Sequence, residues 1–187
     1  MNITVGLIFL GLELVCVLFI FLAIIRAGFA RLSSAIGVAR DGFPPGTTVP
    51  TWSLPDVEGH AHATPAKEHW QFLIFSDQSL ASFPELIAGM HQLAQKVQEI
   101  EVLVMSQEPK QDCQATAQLL ELQVPIVPVE PAFYERFRVR VMPFAFLLDP
   151  HGIVRWVGLV NTEAQLFHAW QMSQASVSEG KAFQEVK

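Results

Sequence analysis

The most apolar part of the chain is its beginning. Residues 3–25 form an almost uninterrupted hydrophobic run that contains one charged residue, Glu13. As a helix rising ~1.5 Å per residue, the run would cover roughly 34 Å, which is enough to cross a bilayer with some tilt. A secretory signal peptide has a basic start and a shorter apolar core, but no Lys or Arg precedes this run. The pattern therefore predicts a single transmembrane anchor over residues 1–26.

Glu13 would lie near the middle of this anchor. Ionisable residues inside a membrane usually face a partner helix or water, so Glu13 is a candidate contact with another membrane protein. The alternative is a protonated carboxyl tolerated in an otherwise apolar helix. Cys16 follows three residues later, and we interpret it as a small apolar filler.

Behind the anchor, the pattern predicts three further regions. Residues 27–45 are expected to form a juxtamembrane helix and a Gly/Pro linker, and residues 46–175 a folded domain. Residues 176–187 show little apolar periodicity and are expected to be a flexible tail.

Strand and helix patterns alternate within the predicted domain. Short apolar runs bounded by polar residues predict buried strands, and apolar residues at three- and four-residue steps predict helices. The predicted strands are 70–75, 101–106, 144–149 and 153–157, and the predicted helices are 80–98, 110–122, 132–137 and 162–173. In the second helix, Ala115, Leu119 and Leu122 are expected to point inward.

A strong turn over residues 149–152 makes the last two strands an antiparallel hairpin, whereas the first two, linked by a helix, should be parallel. The order predicts an α/β domain with a central mixed sheet flanked by helices.

Composition narrows the possible functions. The 187 residues include 12 Lys and Arg against 18 Asp and Glu, which gives a net charge of -6. This acidic balance argues against a nucleic-acid partner, which requires a basic surface. Two cysteines exclude a disulfide-dense scaffold and a cysteine-based zinc site. His60 and His62 are the only closely spaced pair of histidines in the sequence. Two histidines alone do not make a metal site. We expect no metal and no cofactor.

Three local motifs, in order along residues 46–160, resemble one family. They are Gly46–Pro50 with Leu54, Asp56 and Gly59; Pro125–Pro128 with Tyr134–Val139; and Val141–Phe144 with Phe146–Gly152 and Gly158. Together with the element order, they resemble the membrane-anchored thioredoxin-like proteins, namely the TlpA/ResA-like thiol–disulfide oxidoreductases and the methylamine-utilisation protein MauD. The resemblance implies a thioredoxin-like fold preceded by one N-terminal transmembrane helix.

The sequence departs from this family at the catalytic motif. The family carries Cys-x-x-Cys between the first central strand and the next helix, whereas this chain has no cysteine from residue 17 to residue 112. Counting back from Pro84 places Ser76 and Ser79 at the cysteine positions, and counting forward from the strand places Ser79 and Ser82 there. A hydroxyl can neither form a disulfide nor supply a thiolate, so we expect no thiol–disulfide enzyme. The serines also have a structural interpretation, in which Ser76, Asp77 or Ser79 caps a helix that begins near residue 80.

Cys113 is the only cysteine of the predicted domain. It is expected near the start of the second helix, where it could be a reactive thiol or an ordinary helix residue. We favour the ordinary residue, because this chain offers no resolving cysteine beside it.

The resemblance also implies a cis proline at Pro143. In such a loop, Met142 and Pro143 leave backbone groups free to pair with an extended partner segment. With Glu13, they are the candidate partner-binding residues. We expect an accessory subunit of a membrane or envelope electron-transfer complex; the alternative is a MauD-like maturation factor for a disulfide-containing redox enzyme.

The location of the domain stays open at this point. The resemblance implies the outer face of a bacterial inner membrane. Arg26, Arg31 and Arg40, however, all follow the anchor, and by the positive-inside rule they favour the cytoplasm. We expect the periplasmic face.

Overall fold

A computed structural model describes the backbone of residues 41–184 and the side chains of residues 41–174. The predicted anchor, Glu13 and Cys16 lie outside the described residues. Within residues 41–184, none of the helices combines the length and the apolar character needed to cross a membrane.

Strands and helices alternate along the described chain. They are β1 (Trp52–Pro55), β2 (Ala61–Thr64), β3 (Trp70–Phe75), α1 (Phe83–Lys96), β4 (Ile100–Ser106), α2 (Lys110–Leu119), β5 (Ile126–Pro128), α3 (Pro131–Arg136), β6 (Phe144–Leu148), β7 (Val154–Leu159) and α4 (Glu163–Gln184). All four predicted strands and all four predicted helices are present, with shifts at their ends.

Five strands form a central mixed sheet in the order β5-β4-β3-β6-β7. Strands β3, β4 and β5 are parallel, and β6 is antiparallel to both β3 and β7. This arrangement confirms the predicted parallel pair, the predicted hairpin and the α/β class. Strands β1 and β2 form a separate antiparallel hairpin.

The two faces of the sheet bury different side chains. Alternate residues of a strand point to opposite faces, and Phe72 and Ile74 belong to the core that also contains the buried faces of α1 and α4. Phe75 belongs to the other face, where its ring contacts the rings of Phe133 and Phe146 at centroid distances of 6.1 and 5.6 Å. The hairpin β1–β2 reaches the same side, since Trp52 packs edge-on against Phe133.

Helix α2 presents a different face from the one predicted. Leu119 is 82% exposed, Ala115 is also exposed, and Cys113 is the buried residue of the helix. At 3.6 residues per turn, positions 115 and 119 are rotated by about 160° and 120° around the helix from position 113. The mostly polar helix holds too few apolar residues for their spacing to identify the buried side.

Helix α4 continues beyond its predicted end at residue 173, as far as Gln184. It therefore enters the segment expected to be a flexible tail. Residues 174–184 lack proline and contain Ala, Glu, Lys and Gln, which favour helices. A helix therefore forms there although the apolar periodicity is weak. The flexibility of the tail stays a prediction.

Candidate functional site

The register of the central sheet places Ser76 beside Pro143. Phe75, the last residue of β3, pairs with Phe144, the first residue of β6, and also with Met105 of β4. Ser76, which follows β3, and Pro143, which precedes β6, therefore meet at one end of the sheet. The Ser76 N–H donates to the Met105 carbonyl oxygen at 3.2 Å. Two of the residues singled out in the sequence are thus adjacent.

Residues 76–82, which we call the serine loop, join β3 to α1. Ser76 is fully buried, and its hydroxyl has no hydrogen-bond partner within the described part of the chain. Ser79 is exposed, and its N–H donates to Asp77 Oδ1 at 2.8 Å. Ser76 and Ser79, the pair obtained by counting back from Pro84, therefore differ in environment: the first is buried and the second is exposed.

Helix α1 begins at Phe83, with Ser82 as its N-cap residue and no side-chain capping hydrogen bond. The expected capping of a helix near residue 80 by Ser76, Asp77 or Ser79 is therefore wrong. Pro84 lies in the first turn of the helix, where proline is favoured because its missing N–H needs no partner there. Pro84 is therefore compatible with the start of this helix at Phe83.

Two carboxyl groups meet at this edge of the sheet. Glu108, in the turn after β4, shares a side-chain hydrogen bond with Asp77 of the serine loop, and its Oε2 is buried without a partner among the described residues. Burial and the neighbouring Asp77 raise the pKa of Glu108 to about 7, whereas hydrogen bonds from Ser79 lower the pKa of Asp77. The pair therefore keeps one proton up to about neutral pH. Sequence reasoning missed Glu108; the available signal was its position after a parallel strand, at the edge where the ends of β3 and β4 meet.

Cys113 lies against the same turn. Its side chain is fully buried, and its thiol donates to the Glu108 carbonyl oxygen at 3.5 Å. Burial raises the pKa of the Cys113 thiol above its usual value. A buried, protonated thiol is a poor nucleophile, which supports the interpretation of Cys113 as an ordinary helix residue.

Exposed apolar side chains lie around the loop that contains Met142 and Pro143. The Met142–Pro143 peptide is cis, as the resemblance implied. Pro143 is buried, whereas Val141 and Met142 are 44% and 38% exposed. Leu159, which pairs with Phe144 across β6 and β7, is 50% exposed. We call Val141, Met142 and Leu159 the apolar face.

The histidine pair lies far from the serine loop. His62 contacts Glu101, which is near the start of β4. The strands separate this end of the sheet from the serine loop by about 17 Å. Among the side chains of residues 41–174, no group of three His, Cys, Asp or Glu residues is arranged to hold a metal ion.

Comparison with known proteins identifies the fold. No protein-family model matches the sequence, and no curated protein matches it. Solved structures do resemble it. One assigned as the thiol:disulfide interchange protein DsbE from Chlorobium tepidum has a TM-score of 0.63 and 17% identity, covering 71% of this chain and 97% of its own. The peroxidoxin BcpB from Mycobacterium tuberculosis has a TM-score of 0.60 and 17% identity, covering 70% and 96%. The thioredoxin domain of a thiol-disulfide oxidoreductase from Bacteroides vulgatus has a TM-score of 0.57 and 13% identity, covering 63% and 89%. At these identities the likeness shows the fold alone: the domain is thioredoxin-like.

Proposed function

We propose that this protein is a membrane-anchored, thioredoxin-fold module without thiol–disulfide activity, which serves as an accessory subunit of a membrane or envelope electron-transfer complex. One observation carries the proposal. At the end of β3, beside the buried cis proline, the chain presents the buried hydroxyl of Ser76 and an exposed apolar face.

The chemistry of the chain supports the loss of redox activity. Thiol–disulfide exchange requires a thiolate that attacks a disulfide sulfur, and the serines of the loop offer only hydroxyl groups. The chain contains two cysteines: Cys16 in the predicted anchor and Cys113, which is buried. Cys113 does not provide the exposed, low-pKa thiol of an exchange enzyme, and the predicted anchor would hold Cys16 within the membrane.

The apolar face and the predicted anchor support a binding role. Val141, Met142 and Leu159 can bury apolar area against a partner. Methionine adapts to irregular surfaces, which makes it common at binding sites. Glu13 would supply a second contact inside the membrane. We place the domain on the outer face of a bacterial inner membrane, where envelope electron-transfer proteins are within its reach.

An insulin-reduction assay on the detergent-solubilised full chain tests the redox half of the proposal. We expect no turbidity above the background set by dithiothreitol alone. The double variants S76C/S79C and S79C/S82C restore Cys-x-x-Cys in the two possible registers, and S79C alone is the matched control without a partner thiol. We expect one double variant to gain activity, which would identify the register. Reduction by the wild-type chain would contradict the proposal.

Photocrosslinking in native membranes tests the binding half. A photoreactive amino acid at Met142 should give one discrete adduct with a membrane or envelope protein. Met172, which is 54% exposed on α4, is the matched control position and should give none. Equal adducts at both positions, or none at Met142, would contradict a binding role for the apolar face.

A further inference from the structure

His62 lies between two carboxylates at the end of the sheet opposite the serine loop. Its Nδ1 is 2.7 Å from Glu101 Oε1, and its Nε2 is 3.0 Å from Asp56 Oδ2. The His62 and Asp56 side chains are only 12% and 4% exposed. The imidazole therefore joins β2 to β4 and to the turn between β1 and β2, largely shielded from water.

This geometry selects the charged form of the ring. A neutral imidazole donates from one nitrogen and accepts at the other, whereas the imidazolium donates from both. A carboxylate without a proton can only accept. With carboxylate oxygens facing both nitrogens, only the imidazolium satisfies the two contacts. Loss of its proton would leave a nitrogen lone pair facing a carboxylate.

A second set of hydrogen bonds connects this contact to the sheet. Gln71 of β3 donates through Nε2 to Glu101 Oε2 and to the Ala63 carbonyl, both at 2.8 Å. Its Oε1 accepts from the Thr64 hydroxyl at 2.7 Å. Strand β2 is thus attached to β3 and β4 through one polar network, and His62 is the position in it that can carry a positive charge while largely shielded from water.

We propose that His62 is a proton-operated latch, which holds β2 against the central sheet when charged and releases it when its proton is lost. The charged groups that face the ring are Glu101 from β4 and Asp56 from the turn. Asp56 also lies 3.5 Å from the exposed ring of His60, which in turn lies 3.6 Å from Glu58.

The direction of the pH effect follows from these neighbours. Burial alone would lower the pKa of His62, but the hydrogen bonds and charges of Glu101 and Asp56 raise it above 6.5 overall. A raised histidine pKa means that the stabilisation is complete below about 6.5 and is lost as pH rises through the folded-state value. Strand β2 is therefore held against the sheet at pH values below the His62 midpoint and released above it.

Other contacts confine the opening to β2. Arg136 Nη2 donates to the Thr51 carbonyl at 2.7 Å, and Trp52 packs on Phe133 at 5.7 Å. Neither contact involves His62. The backbone of β2 pairs with β1, so the release of β2 also separates it from β1. Strand β1 and the central sheet should therefore stay in place when β2 is released.

Hydrogen–deuterium exchange of the full chain in detergent, read peptide by peptide, tests the latch. Protection factors, which correct for the intrinsic pH dependence of exchange, are compared below and above the His62 midpoint measured by NMR of ¹⁵N-histidine-labelled protein. We expect protection of residues 61–64 to fall about tenfold or more, because a hydrogen bond to a charged group is lost. Residues 70–75 should keep their protection.

Three variants complete the test. His62→Gln cannot carry the charge and should show low protection of β2 at both pH values, whereas His60→Gln, the exposed control, should behave as wild type. Glu101→Gln removes one facing charge and should lower both the His62 midpoint and the pH at which β2 opens. Protection of β2 that does not change across the midpoint, or an unshifted midpoint in Glu101→Gln, would overturn the proposal even if His62→Gln fails to fold.

Discussion

Ser76 follows β3 directly, and its fully buried hydroxyl lacks a hydrogen-bond partner among the described residues. A buried, unpaired polar group costs free energy, and removing such a group leaves no partner unsatisfied. We expect Ser76→Ala to leave the free energy of unfolding unchanged or to raise it by up to about 1 kcal/mol. Urea unfolding measures this difference, with Ser79→Ala as the exposed control. A loss above about 1 kcal/mol would mean that the hydroxyl has a partner.

The pH dependence of stability should report on Glu108. Because its pKa is raised from 4.5 to about 7, the stabilisation from its protonated form is present below pH 4.5 and lost as pH rises to about 7. Glu108→Gln should therefore be more stable than wild type at pH 8, by about 1–2 kcal/mol after allowance for partial exposure.

At pH 4 the two proteins should have the same stability. Glu135→Gln, an exposed change on α3, serves as the control. A Glu108→Gln curve parallel to wild type between pH 4 and pH 8 would show that the buried carboxyl pair does not share a proton.

Sequence reasoning predicted some residues of the site better than others. Ser76 and Pro143 could be singled out through the family resemblance, and the two apolar strands that flank them, β3 and β6, were predicted from the sequence pattern. Glu108 could not, because its contact with Asp77 depends on the shapes of two loops at the ends of different strands. The contact of His62 with Glu101 was missed for another reason: it joins two strands whose residues are 39 positions apart in sequence, and β2 was not predicted.

At the scale of elements, the packing of α1 against α4 depends on Gly89. A Cβ at this position would lie 2.9 Å from the Glu163 Cα and 3.1 Å from Leu166 Cδ1. Helix propensity alone would make Gly89→Ala stabilising by roughly 1 kcal/mol. We expect the clash to prevail and Gly89→Ala to lower the free energy of unfolding by about 1–3 kcal/mol.

Ala88, the exposed neighbour on the same helix, provides the comparison. Ala88→Gly should show the propensity effect alone, a loss of roughly 1 kcal/mol. Urea unfolding of both variants separates propensity from packing. A stabilising Gly89→Ala would mean that the two helices are not in close contact there.

The predictability of an element followed its length and apolar content. Strand β3 was predicted with its observed bounds, because six consecutive residues from Trp70 to Phe75 are mostly apolar. The hairpin β1–β2 and the three-residue β5 were missed. Their strands are short, and they mix histidine, serine and proline with apolar residues, so no alternation was visible. Tertiary contacts stabilise these strands more than local preference does.

At the scale of the whole molecule, the anchor predicted over residues 1–26 should hold the protein on the membrane. Extraction of native membranes with alkaline carbonate should leave the full chain in the pellet. The treatment releases proteins that are bound to the membrane surface, whereas a membrane-spanning helix stays inserted. A chain shortened to residues 41–187 should appear in the supernatant. Release of the full chain would contradict the anchor and, with it, the proposed role of Glu13.

The measurement that most directly tests the central claim is quantitative mass spectrometry of the native protein, purified from its own membranes in mild detergent. An accessory subunit should bring a redox complex with it at a 1:1 ratio. Met142→Asp should lose that complex, and Met172→Asp should keep it. Recovery of the chain alone, or with only traces of an unfinished cysteine-rich protein, would contradict the subunit and indicate a maturation factor.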